Sequence, residues 1–364
     1  MRNGVGVADI HDFLRYLVDQ EGSDLHIKPG GPPSIRVSGN LVKASFDSLR
    51  VLDCVAAAME IMNDEQKHQL EHAGEVDFAF SEPGVGRFRV NVYKQRGSVA
   101  IAARLVLPSA PSFAALGLPP AIETLANEHR GMLLITGPTS SGKTTTTGAV
   151  LNHINSTRAC HILTIEDPIE ILYADDVAMV SQREIGEDTK DFTTALRAAM
   201  RQDPDVIFVG EIRDAETVGA ALQAAETGHL VLATLHTTDV AETVSRVIDF
   251  FPPFQQKQAR VALAGSLAGV VSQRLLKRAG GGRVAAIEIL VMNGRVRDLI
   301  LNPEQTHMIP DIVAESGFYG MQTFDQALLA LFRAGLVELE EAKSAATNPH
   351  DFQIALQQEG LQPV

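Results

Sequence analysis

The chain of 364 residues is long enough for two or three domains, and its 45% hydrophobic and 21% charged content belongs to a globular protein with a real core. A formal net charge of −14 argues against a surface built for bulk nucleic-acid binding, and two cysteines, Cys54 and Cys160, are too few for a disulfide framework or a four-cysteine zinc site. Residues 1–9 lack the apolar core of a signal peptide, and no apolar run reaches the roughly 20 residues of a membrane span, so the expectation is a cytoplasmic protein without direct membrane insertion.

Ala8 to Asp19 spaces Ile10, Phe13, Leu14 and Leu17 as one face of a helix. Ser23 to Lys28 then alternates, and Gly30 to Pro33 turns the chain into a second strand, Ser34 to Val37. A helix over Leu52 to Met62, alternating runs at Val76 to Phe80 and Arg87 to Tyr93, and a closing strand at Ser98 to Leu105 complete a small α+β domain with an antiparallel sheet over residues 1–107. Pro108, Pro111, Gly117, Pro119 and Pro120 mark residues 108–120 as a linker or hinge.

Beyond it strands and helices alternate. Strands are expected at Met132 to Thr136, His161 to Ile165, Val206 to Val209, Leu230 to Thr234 and Val284 to Val291, the last after a Gly280–Gly282 turn. Helices are expected at Thr144 to Ile154, Thr193 to Met200 and Ala215 to Thr227, with a helical tail after the last strand. That alternation predicts an α/β domain over 121–364 with a mostly parallel sheet. Val218, Leu222 and Ala225 share one face of the helix that Gly228 caps, and this reads as packing. The small-residue segment Val261 to Val271, between Arg260 and Arg274, reads as a packed helix.

Gly137-Pro138-Thr139-Ser140-Ser141-Gly142-Lys143-Thr144 fits G-x-x-x-x-G-K-[ST] and stands between a strand and a helix, as a phosphate-binding loop must. The glycines let the backbone bend so that its N–H groups point inward, Lys143 brings a point charge to the β- and γ-phosphates of ATP, and the Thr144 hydroxyl is placed to ligate Mg²⁺. Thr145 follows in the first helical turn and completes the candidate nucleotide-binding set.

Two further strands deliver acids at their carboxyl ends. After Val206 to Val209 come Gly210 and Glu211, and Glu211 is the candidate for holding a Mg²⁺-bound water. After His161 to Ile165 come Glu166, Asp167, Pro168 and Glu170. Hydrolysis needs a carboxylate to orient or deprotonate water, with Glu170 the first candidate and Glu166 the second. His229 and His236 bracket the strand from Leu230. His236 is placed to sense the γ-phosphate, although a lone strand-end histidine is more often a satisfied core or capping group. Arg87, Arg89, Arg96 and Arg104 fall in the first domain's sheet. They read either as solvated strand faces or, in a ring of subunits, as planar forks on a neighbour's phosphates.

These motifs resemble the PilT-type ATPases that retract type IV pili, within the secretion-ATPase superfamily. The resemblance runs from about Asp9 to about Val337. It includes Ser23-Asp-Leu-His26 with Gly31 to Val37, the Gly137–Thr144 loop, the acidic box Ile162 to Glu170, the Walker B-like stretch Arg201 to Asp214, and the histidine box Thr227 to Thr238. It implies a PAS-like N-terminal domain and a RecA-like ATPase domain. It also implies Glu170 as the catalytic carboxylate, Glu211 as the Walker B acid, functional roles for His229 and His236, and arginines that complete the nucleotide site. The partners it implies are the chain itself as a homohexamer, an inner-membrane platform protein and the pilus machinery, with the protein lying peripherally at the pilus base. Ser140 stands where many relatives carry glycine, and Arg295-Val-Arg297-Asp298-Leu299-Ile300 is a changed form of a motif tied to retraction. Two alternatives to the retraction motor stay open: a weakly hydrolysing accessory nucleotide-binding ring protein, and a pilus-assembly or type II secretion ATPase.

Overall fold

The computed structural model describes residues 9–37, 39–107, 109–359 and 361, so Ala8 and Pro108, named in the expected helix and linker, lie outside the described residues. The chain divides into two units, one running to residue 108 with 170–172 added, the other taking 109–169 and 173–364.

The first unit opens on α1 (Ile10–Asp19), capped by Asp9, whose carboxylate accepts the Asp12 N–H at 3.0 Å. Then come β1 (Asp24–Ile27), β2 (Ser34–Val37), β3 (Asn40–Lys43), α2 (Val51–Ile61), α3 (Asp64–Ala73), β4 (Glu75–Glu82), β5 (Gly86–Gln95) and β6 (Ser98–Leu105). The strands make one antiparallel sheet in the order β3-β2-β1-β6-β5-β4. Period-two alternation decides its faces. Phe88, Val90 and Val92 are buried in a core with Phe13, Leu14 and Leu17, and Arg87 and Arg89 alternate with them. Sequence reading missed β3 and α3 for a physical reason: β3 is exposed along its length and α3 buries only Leu70, so neither carries an apolar stripe.

In the second unit, the stretch expected as a bare hinge carries structure. Ser112 caps the one-turn helix α4 (Phe113–Leu116), and Pro120 begins α5 (Pro120–Ala126), which buries Ile122 and Leu125. The unit continues through β7 (Gly131–Thr136), α6 (Lys143–Thr157), β8 (His161–Glu166), β9 (Met179–Glu184), α7 (Phe192–Ala199), β10 (Val206–Val209), α8 (Ala215–Glu226), β11 (Leu230–Leu235), α9 (Val240–Asp249), α10 (Pro253–Ser266), β12 (Leu267–Lys277) and β13 (Arg283–Val291). Helices α11 (Gly294–Leu301), α12 (Ile309–Glu315), α13 (Phe324–Arg333), α14 (Leu339–Ala345) and α15 (Pro349–Gln358) form the tail. Among the described residues no helix is long and apolar enough to cross a membrane.

The seven strands run in the order β13-β12-β7-β11-β10-β8-β9, parallel throughout except between β12 and β13. β7, β10 and β11 are buried at every position, as strands covered on both faces must be. Two expectations need correction. The segment Val261–Val271 is not one helix: α10 ends at Ser266 and the chain becomes β12, because Leu267 to Val271 lie against β7 and β13 in the sheet. Gly228 is not the cap of α8 but the residue after it, at φ 111°, with Thr227 in the cap position.

Candidate active site

The loops that follow β7, β8, β10 and β11 all leave one edge of the parallel sheet, its carboxyl edge, where open α/β sheets present their ligand sites. The fully apolar β7 hands the chain to Gly137, which has φ 149°. A side chain there would collide with the Gln273 carbonyl and with Ser141 Oγ, so the loop packs against β12 with no room for a Cβ. Gly142, at φ 92°, is the N-cap of α6, and a Cβ on it would stand 2.7 Å from Gln273 Nε2. Having no side chain, Gly142 leaves the first-turn amides of α6 to an anion. Ser140 also has positive φ, 64°, the conformation that glycine adopts at no steric cost. Thr139, Ser140 and Thr144 are exposed, Thr145 is half-buried, and Ser141 is buried with its hydroxyl unpaired.

Lys143 folds back over this loop, its ammonium donating to the carbonyls of Gly137 at 2.7 Å and Pro138 at 3.0 Å. It also lies 3.4 Å from Nδ1 of His236. An ammonium has only protons to offer, so Nδ1 is the acceptor and the neutral ring keeps its proton on Nε2. Nε2 in turn faces Glu211 Oε1 at 3.2 Å. Arg213 Nη2 donates to Glu211 Oε2 at 2.7 Å, and Nη1 lies 3.7 Å from Asp167. Lysine, histidine, carboxylate, arginine and carboxylate thus follow one another in a single chain of contacts across the four loops after β7, β11, β10 and β8. Donors and acceptors matched in this way place Glu211 and His236 together beside the Gly137–Thr144 loop. Arg213 and Asp167 were not singled out from the sequence. The available signal was Arg213's position two residues after Glu211, on the same side of extended chain.

The backbone explains why Gly210 stands where a strand-terminal Asp is usual. Its N–H donates to the Ile165 carbonyl at 2.8 Å, and a Cβ would come within 3.3 Å of Glu166 Cα. The Ile212 N–H then donates to Thr234 at 3.1 Å, which fixes Glu211 between β10 and β11.

The remaining candidates fall elsewhere. Glu166 ends β8 buried, accepting from Thr164 Oγ1 at 2.6 Å and Gln182 Nε2 at 3.1 Å. Glu170 belongs to the first unit, where its carbonyl accepts the Leu107 N–H at 3.2 Å and its side chain is exposed. His229 precedes β11, so roughly 20 Å of strand separates it from His236. Its Nδ1 meets the Ala224 carbonyl at 2.9 Å at the end of α8, so it acts as a helix cap. In the first unit, Arg89 and Arg104 are cross-strand partners on the outer face. Arg104 also donates to Asp24 at 2.8 Å; burial works to raise the Asp24 carboxyl, and the Arg104 and Ser23 hydrogen bonds outweigh it and hold it below its usual range. Arg87 pairs with Ser81 across β4 and β5. Arg96 lies outside the sheet, contrary to expectation: with Gly97 it forms the two-residue turn between β5 and β6, at φ 48°.

Known proteins share this architecture. The type II/IV secretion system protein family matches residues 4–281. The chain is 43% identical over 344 residues to the type IV pilus retractation ATPase PilT of Pseudomonas aeruginosa, an alignment covering 94% of this chain and 100% of that one. It is 44% identical over 317 residues to the twitching motility protein of Neisseria gonorrhoeae, covering 87% and 84%. A crystal structure of the pilus retraction motor PilT with bound ADP superposes with a TM-score of 0.87 at 44% identity, over 95% of this chain and 99% of that one.

Proposed function

The chain belongs to the type II/IV secretion system protein family, and we propose that it is an ATP-hydrolysing motor of type IV pilus retraction, working as a homohexamer on a platform protein of the inner membrane. The observation that carries the reading is the meeting of Lys143, His236 and Glu211 at the mouth of a glycine-bounded loop on the carboxyl edge of the sheet. Loop and helix fit a triphosphate, since Gly137 and Gly142 let the loop pack against β12 where a Cβ would collide with Gln273, and Gly142 as N-cap leaves the first-turn amides of α6 without a side-chain acceptor. Thr144 and Glu211 are the residues that would hold Mg²⁺, which when bound would neutralise charge developing on the phosphates.

In hydrolysis Lys143 leaves the loop carbonyls for the β- and γ-phosphates, and the first-turn amides of α6 hold the phosphate oxygens. His236 then follows the γ-phosphate, and Glu211 holds its ring through Nε2. Glu170 orients the attacking water. It is favoured over Glu166, whose carboxylate is buried and already accepts from Thr164 and Gln182. Arginines of the first unit, Arg89 and Arg104 foremost, complete the site from a neighbouring subunit.

Lys143→Ala is expected to abolish turnover of ATP, and Glu170→Gln to lower it at least about a hundredfold while ADP still binds. Normal turnover by Lys143→Ala would refute the motor. In cells, loss of the protein is expected to leave excess surface pili, whereas bald cells would assign it to assembly.

A further inference from the structure

Behind the phosphate loop lies a group of side chains that the proposed chemistry does not use. Thr136, Ser272 and Thr243 are fully buried and Thr237 is 3% exposed. Thr136 is the last residue of β7, immediately before Gly137, and Ser272 faces it in register on β12. Thr237 immediately follows His236, and Thr243 lies in α9. Their hydroxyls converge: Thr237 to Thr243 at 2.6 Å, Thr136 to Thr243 at 3.3 Å, and Thr136 to Ser272 at 2.8 Å.

A hydroxyl has one proton and two lone pairs, which orders the group. Thr243 donates to the carbonyl of Asp239 at 2.7 Å, so its proton is spent and its oxygen can only accept. Thr237 and Thr136 therefore both donate to Thr243, and Ser272 donates to Thr136. Every proton in the group has one destination, and both lone pairs of Thr243 Oγ1 are filled from different loops. Buried hydroxyls are commonly satisfied by a carbonyl of their own helix turn. Here one oxygen ties the residue before the phosphate loop to the residue after His236, and displacing either loop leaves a buried donor unpaired.

We propose that Thr243 is a positioning residue for hydrolysis, the hub that holds His236 in register with the phosphate loop. The inference rests on the role given to His236 above.

The test compares purified Thr243→Val, Thr243→Ser, His236→Ala and the Thr243→Val/His236→Ala double variant, by ATP turnover and by titration with a fluorescent ADP analogue. Valine keeps the shape and removes the hydroxyl. It is expected to lower kcat about tenfold with ADP affinity changed less than about twofold, and serine is expected to restore kcat to within about twofold. The double variant is expected to fall no further than His236→Ala alone, since the hub acts through that ring. Unchanged kcat in Thr243→Val overturns the proposal, as does serine no better than valine, or losses that multiply in the double variant. If His236→Ala itself turns over normally, the reading of His236 fails first. If it is impaired while Thr243→Val is normal, only the hub fails. Should Thr243→Val not fold, Thr237→Val removes one spoke and carries the same expectations.

Discussion

Glu288 shows how far one buried side chain can couple to solution conditions. It lies on β13 at 6% exposure and accepts the Val240 N–H at the start of α9 at 2.8 Å. Burial raises its carboxyl more than that amide lowers it, and pushes it up to about 7 from 4.5. With the folded value above the unfolded one, the folded chain keeps a proton that the unfolded chain has released. Stability from this group is therefore full below about pH 4.5, declines as pH rises towards 7, and is level above that. Glu288→Gln keeps the acceptor and removes the charge. It is expected to melt higher than the parent by a margin that grows from pH 5 to pH 8, reaching roughly 3 kcal/mol at most; a margin independent of pH in thermal melts would contradict this. Legibility at this scale was uneven. The placement of the Gly137–Thr144 loop between a strand and a helix was readable because its motif is local. Asp167 and Thr243 were not, because each acts through a neighbour distant in the chain, and Arg213, though only two residues from its partner Glu211, belongs to no local motif that marks it.

Among the elements, β12 departs most from what local pattern predicts. Small residues across Val261 to Val271 suit a helix and a sheet interior equally, and the change falls at Leu267, where pairing with β7 begins and pairing with β13 follows from Gly269. Gly269 shows how tight that position is: a Cβ would stand 2.7 Å from Leu125 on α5 and 2.8 Å from the Leu290 carbonyl. The side chain can yield and the carbonyl cannot. Gly269→Ala is expected to destabilise the protein by about 1–3 kcal/mol, read from the midpoint of chemical denaturation. An unchanged midpoint would mean that the strand relaxes freely. Elements with strong periodicity, such as α1 and β5, were legible. β3, α3 and β9 were not, since β3 is exposed throughout, α3 buries one residue, and β9 buries only Glu184.

For the whole molecule, the ring makes a concentration-dependent claim. If arginines of one subunit complete the site of the next, Mg²⁺-ATP hydrolysis per subunit is expected to rise with protein concentration and saturate as rings form. Activity per subunit that stays constant down to concentrations where a mass measurement finds monomers would show that each subunit is self-sufficient. Arg104, already held by Asp24 in its own sheet, has the most to lose on moving to a partner's phosphate, so Arg89 is the better first substitution in that experiment.

The phosphate loop, the acidic strand ends and the α/β alternation were determined by the sequence alone, because each depends on residues within a few positions of one another. Strand order, the turn position of Arg96, the capping role of His229 and the hub at Thr243 were decided only by the tertiary structure. Strand order and the hub depend on which distant segment supplies the neighbour, whereas the Arg96 turn and the His229 contact with Ala224 are local and depend on where β5 and α8 end. His229 and His236 make the difference plain: both flank one apolar strand and look alike in sequence, but the parallel sheet sends one to the phosphate edge and the other to the opposite edge.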